Sequence, residues 1–225
     1  MVRVVESRIV PAQTHGRYLV KAPLGPPPHG LLVGFHGYGE GAAQHMDKLQ
    51  QVPGADRCAL VAVQALHLFY TRGGEVVGSW MTKLDREQAI ADNIAYVASV
   101  VARVREEFPE ARPLVYAGFS QGASMAYRAA ARSGHACAGV IALGGDLPPD
   151  VAEDEAAPLP PALVARGQRD EWFTGEKMDR DLQRLFARGV RVQSLVFDGG
   201  HEWGADFFFA AGAFLGSVLG PPPSA

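Results

Sequence analysis

The sequence has only two cysteines, no block of like charge and no apolar stretch long enough to cross a bilayer. Each scarcity excludes a class. Cys58 and Cys137 sit inside apolar runs, Cys58–Val63 and Cys137–Ile141, so they read as buried free thiols rather than a disulfide framework. The formal charge of −3 is small and spread along the chain. Arg103, Arg105, Arg112, Arg128 and Arg132 stand singly, as on solvated helix faces. With no basic run to track phosphates, nucleic acid is not expected as a partner. Met1–Ser7 lacks an apolar signal-type core; stable membrane insertion is not expected, and the cytoplasm is the expected location. Histidine and cysteine are not grouped at ligand spacing and no phosphate loop is present, so neither a metal nor a cofactor is expected.

What the chain does have is alternation. Its 225 residues suit one domain, 1–225, with a sizeable core. Apolar runs at 31–35, 58–63, 113–117, 138–143 and 162–165 read as strands buried on both faces. Between and after them come helical patterns near 43–51, 85–107, 123–131, 175–188 and 207–218. The helix at 85–107 carries Ile90, Ile94, Val97, Val101, Val104 and Phe108 at steps of three and four, with Asp85 as N-cap and Pro109 as stop. Residues 190–197 alternate as a last strand, and residues 2–10 and 17–22 read as an antiparallel hairpin at the N-terminal edge. The expected fold class is α/β: a mostly parallel central sheet with helices on both faces. Gln64–Thr82 reads as a long functional loop, and the proline-rich stretch 146–161 as a surface excursion.

Gly118-Phe119-Ser120-Gln121-Gly122 lies between the strand ending near Ala117 and the alanine-rich helix after it. The glycines two places either side of Ser120 suit a strained strand-to-helix turn, where larger side chains would collide with backbone. Such a turn sets the hydroxyl at the carboxyl end of the sheet and at a helix N-terminus that favours negative charge. A serine needs a base to take its proton, and the base needs a carboxylate to hold its tautomer. Of seven histidines, only His201 follows the last strand, beside Gly199 and Gly200. Asp170, in the exit loop after strand 162–165, completes the chain order Ser, Asp, His. Glu171 and Asp146 are its rivals. The oxyanion of an acyl-transfer intermediate needs backbone donors; Gln121 N–H and Tyr38 N–H, the latter in the glycine-rich loop His36–Gly41, are the candidates. His36 either orients that loop or is simply a satisfied buried histidine.

Together His36-Gly37-Tyr38-Gly39, the Ser120 turn, Gly167-Gln168-Arg169-Asp170 and Gly199-Gly200-His201-Glu202 resemble the α/β-hydrolase superfamily. Within it they are most similar to the carboxylesterase/phospholipase group, which includes acyl-protein thioesterases and small bacterial carboxylesterases. The resemblance runs from about residue 29 to 215. It implies Ser120 as nucleophile, Asp170 and His201 as its partners, and Tyr38 and Gln121 as oxyanion donors. Ser79-Trp80-Met81 falls where that group often has Ser-Trp-Phe-Asp, which implies Trp80 at the pocket wall. The Phe-Asp pair is missing here, and Tyr38 stands where the group often has Leu. Trp80, Trp172 and Phe69 are therefore the expected substrate-binding aromatics. The expected activity is that of a serine carboxylesterase on short to medium acyl esters of small molecules. Thioesterase or lysophospholipase activity is the rival, and a binding protein on an inactive hydrolase fold is the rival from another class. Phe207-Phe208-Phe209 is too wide an arc for one helix face and marks either a homodimer contact or a helix held between others.

Overall fold

The computed structural model describes residues 5–221. In chain order its elements are β1 (Tyr18–Lys21), β2 (Gly30–Phe35), α1 (Ala42–Leu49), β3 (Cys58–Val63), β4 (His67–Tyr70), β5 (Val76–Ser79), α2 (Arg86–Glu107), β6 (Leu114–Phe119), α3 (Gln121–Arg132), β7 (Gly139–Leu143), α4 (Pro149–Ala152), β8 (Ala162–Gly167), α5 (Gly175–Ala187), β9 (Val192–Phe197) and α6 (Ala205–Leu219). Seven strands form one sheet in the order β1-β3-β2-β6-β7-β8-β9. All neighbours are parallel except β1, which pairs antiparallel with β3. This is the α/β-hydrolase fold.

The continuous apolar runs are strands whose two faces are both covered. From β2, Leu31, Val33 and Phe35 join a core with α2 and α3, while Leu32 joins a second core with α1 and α6. β9 closes the sheet with one side open, and of its residues only Phe197 is fully buried. After the edge strand β1 the chain enters the sheet at β2, steps out to β3, then returns to the other side of β2 as β6. That reversal opens a crevice between the carboxyl ends of β2 and β6, where ligands gather in such sheets.

The expected N-terminal hairpin is altered. Residues 5–17 carry no strand, and Val5, Ile9 and Val10 are 95%, 61% and 81% exposed. The edge strand β1 takes β3 as its partner instead; residues 2–4 of the expected hairpin lie outside the described residues. An antiparallel hairpin does exist further on, where β4 and β5 pair through a turn at Gly73-Gly74 inside the expected loop. Asp85 is at the N-cap of α2, but its side chain makes no cap hydrogen bond. The inner face of α2 includes Ala89 and Asn93 rather than Ile90, and α5 buries Asp181 while Phe186 is 58% exposed. Both cysteines are free thiols, and burial pushes that of Cys58 up to about 12. Phe207 is core, Phe208 stacks on Trp203, and Phe209 is 77% exposed. Among the described residues, no helix is long and apolar enough to cross a membrane.

Candidate active site

Ser120 stands between β6 and α3 at φ 54°, ψ −120°, a conformation that costs a non-glycine residue on the order of 1–3 kcal/mol and persists only where packing imposes it. The packing is backbone on backbone. A Cβ on Gly118 would come within 2.1 Å of the Gly122 carbonyl oxygen, and one on Gly122 within 2.0 Å of that of Phe35. Both glycines are thus required by close approach. The turn is also tied to the sheet, since Ser120 N–H donates to the Leu143 carbonyl at 2.8 Å.

Two other exit loops reach this turn. Ser120 Oγ lies 2.8 Å from His201 Nε2, and His201 Nδ1 lies 2.9 Å from Asp170 Oδ2. The other carboxylate oxygen, Oδ1, accepts the N–H groups of Trp172 and Phe173, each at 2.9 Å. Asp170 is buried while His201 keeps partial access to solvent. The Phe119 ring packs against the imidazole at a centroid distance of 4.8 Å. The rivals for the acid are engaged elsewhere or open to water: Asp146 pairs with Arg180 and Lys177, and Glu171 is exposed.

The loop after β2 presents a run of backbone donors. Gly37 N–H donates to Glu40 Oε2 at 2.7 Å, Gly39 N–H to the Gly78 carbonyl at 3.0 Å, and Glu40 N–H to the Gly37 carbonyl at 3.3 Å. Gly41 N–H goes to Gln44 Oε1 and Ala42 N–H to Gln64 Oε1. Among the described residues only Tyr38 N–H, within this run, finds no acceptor. Gln121 N–H, at the first position of α3, likewise has none among the described residues. His36 underpins the loop. Its Nδ1–H donates to the Gly37 carbonyl at 2.7 Å, and Nε2 accepts Ala65 N–H at 3.1 Å. Burial lowers its pKa, the Gly37 hydrogen bond offsetting only part, so the ring is neutral with a fixed tautomer.

The three expected substrate-binding aromatics are divided. Trp80 is 1% exposed and has no face to offer a substrate. It is a brace: its indole N–H donates to the His36 carbonyl at 2.8 Å and its backbone N–H to Gln121 Oε1 at 2.7 Å. It therefore bolts the loop after β2 to the start of α3. Asn93, unforeseen from sequence, holds Trp80 in turn by donating to its carbonyl at 3.0 Å; its only trace is a polar residue at the step between Ala89 and Val97. Phe69 on β4 stacks on the exposed Tyr38 ring at 5.3 Å, which joins the hairpin to the loop. Trp172 is 72% exposed beside Asp170. A cavity of about 770 Å³ opens at the opposite, amino end of β2 and β3, lined by Pro26–His29, Arg57 and Cys58 among others, remote from all these groups.

The fold recurs in solved structures. Esterase PE8 matches with a TM-score of 0.74 at 22% identity, over 91% of this chain and 100% of its own. Acyl-protein thioesterase 2 from Zea mays matches at 0.67 and 20%, over 92% and 100%, and a carboxylesterase from Bacillus cereus at 0.71 and 14%, over 90% and 94%. Likeness at these identities shows the fold. No curated protein matches the sequence at a significant level. The phospholipase/carboxylesterase family model, in contrast, matches residues 19 to 211, most of the chain and every loop just described, and the chain belongs to that family.

Proposed function

We propose that the protein is a serine carboxylesterase acting on short to medium acyl esters, with Ser120, His201 and Asp170 as its catalytic triad. The observation that carries the reading is the pair of contacts, 2.8 Å and 2.9 Å, that link hydroxyl, imidazole and buried carboxylate in series. Ser120 Oγ attacks the ester carbonyl carbon as His201 Nε2 takes the hydroxyl proton. Asp170 keeps the remaining ring proton on Nδ1 and stabilises the imidazolium. The carbonyl oxygen becomes an oxyanion, met by the N–H groups of Tyr38 and Gln121, donors of a kind each worth about 3–4 kcal/mol of barrier. The imidazolium then protonates the departing alcohol as the C–O bond breaks, leaving an acyl group on Ser120. Water, deprotonated by the same ring, attacks this acyl-enzyme and restores the serine. The exposed rings of Tyr38, stacked on Phe69, and of Trp172, two residues from Asp170, favour a small acyl or alcohol group held near the surface.

Labelling by a fluorophosphonate, together with hydrolysis of p-nitrophenyl esters of increasing acyl length, tests the reading. Wild type should label and hydrolyse, and Ser120→Ala should do neither. An unlabelled, inactive wild type would favour a binding protein on this fold. A matched ester and thioester pair separates carboxylesterase from the thioesterase alternative, and faster turnover of the thioester would replace the substrate class while leaving the triad in place.

A further inference from the structure

Glu40 is drawn into the loop beside the site through both its side chain and its backbone. Its carboxylate accepts the Gly37 N–H at 2.7 Å. Its backbone forms a bridge with Gly78 on β5, with Gly78 N–H donating to the Glu40 carbonyl at 2.9 Å. Its side chain also lies over Gly37, where an added Cβ would meet Oε2 at 3.1 Å and the Phe119 ring at 3.2 Å. Phe119 is in turn the ring packed on His201. A short loop of glycines has many conformations of similar energy, and an oxyanion donor is effective only when its direction is set before the reaction. In residues 37–42 every N–H but that of Tyr38 is assigned an acceptor, and the acceptor for the one immediately before it is the Glu40 carboxylate.

We infer that Glu40 is a positioning residue for the oxyanion loop: by taking the Gly37 N–H and tying the loop to β5, it leaves Tyr38 N–H as the loop's one donor turned to developing charge, beside that of Gln121. The inference rests on the ester-hydrolase reading and adds a residue to it. What the loop needs from Glu40 is an oxygen at that place. A negative charge there works against an oxyanion a few residues away, so a neutral acceptor should serve as well. Glu40→Gln retains the oxygen, Glu40→Leu retains the bulk over Gly37 without it, and Glu40→Ala retains neither.

The experiment is kcat and KM for p-nitrophenyl butyrate in these three variants, with thermal melts and the exchange rate of the Gly37 amide by NMR. Glu40→Leu and Glu40→Ala should lose kcat on the order of 10²-fold, the usual consequence of a displaced catalytic donor, with KM within about twofold because substrate binding is not what is lost. Glu40→Gln should stay within about threefold of wild type. The Gly37 amide should exchange slowly in wild type and Glu40→Gln and fast in Glu40→Leu. Equal loss in Glu40→Gln and Glu40→Leu would overturn the inference, because charge and not an acceptor would then be the requirement. Full activity in Glu40→Leu, or a Gly37 amide already unprotected in wild type, would overturn it while leaving the triad standing. A wild type that hydrolyses no ester would take down the hydrolase reading and the catalytic role of Glu40 together.

Discussion

At the scale of single residues, Asp170 shows how a site dictates not only a residue type but the order of its atoms. One carboxylate oxygen is held by two backbone N–H groups and the other faces the imidazole. In Asp170→Asn the amide oxygen must stay with the two backbone donors, since an NH₂ group there would set three donors against one another. The NH₂ is then turned to His201 Nδ1, which becomes an acceptor and moves the ring proton to Nε2. That nitrogen can no longer take a proton from Ser120. The expected result is a fall in kcat of about 10³–10⁴-fold, as tautomer reversal produces in serine triads, with KM and melting temperature little changed. A loss below tenfold would move the acid's role to Glu171 or Asp146. The residues of this series stood out in the sequence because each lies in the loop that follows a strand, with at least one glycine within three residues. Glu40 and Gln64 did not, because their work is to occupy backbone donors, and nothing in a residue's identity tells which donors need occupying.

At the scale of elements, legibility followed burial. Strands β2, β3, β6, β7 and β8 are buried along their whole length, so each is an unbroken apolar run and its position was evident. The hairpin β4–β5 was hidden, since His67–Tyr70 is only half-buried and its turn is two glycines like any loop. Residues 5–10 erred the other way: the outer edge of β1 is free to pair, but Val5, Ile9 and Val10 stay exposed, and an alternating pattern makes a strand only where one of its faces has a core to cover. Trp80 is the instructive case. Its nearness to the loop after β2 was legible, but its direction was not, because that is set by Asn93, His36 and Gln121, which lie 13 to 44 residues away in sequence. Trp80→Phe tests the brace. It leaves the buried His36 carbonyl without its donor, which costs about 1–3 kcal/mol, and loosens the loop carrying Tyr38 from the helix carrying Gln121. Urea unfolding should show that loss of stability, and kcat should fall while preference for acyl length is unchanged. A wall of the acyl pocket would behave in the opposite way, with altered chain-length preference and intact stability.

At the scale of the whole molecule, the two cores on either side of the sheet differ in one respect that affects acid tolerance. His45 on α1 is packed at 1% exposure against Gly34 of β2 and the Trp203 ring, and neither ring nitrogen has a hydrogen-bond partner. Its pKa is lowered to about 3, first by burial and further by the neighbouring His36. In the unfolded chain this histidine titrates near 6.5. Its contribution is therefore complete above that value. Below it the unfolded state binds a proton that the folded state refuses, so stability declines by about 1.4 kcal/mol per pH unit until the folded ring itself protonates. His36, also lowered by burial, adds to the decline. Asp181, whose carboxyl is raised by burial, opposes it, because the folded state takes up that proton first. The contribution of His45 is isolated by difference. His45→Phe keeps a flat ring between Gly34 and Trp203 and removes the titration, whereas His36, Asp181 and every other group remain common to both proteins. Stability from urea unfolding, measured for each at half-unit steps from pH 8 to pH 4, should give curves that run parallel above pH 7. Below pH 6 they should diverge, the variant losing about 1.4 kcal/mol less per unit than wild type. Curves that remain parallel to pH 4 would mean that the imidazole takes up its proton inside the fold, and so that the second core admits water or a counter-charge at α1 as the solution is acidified.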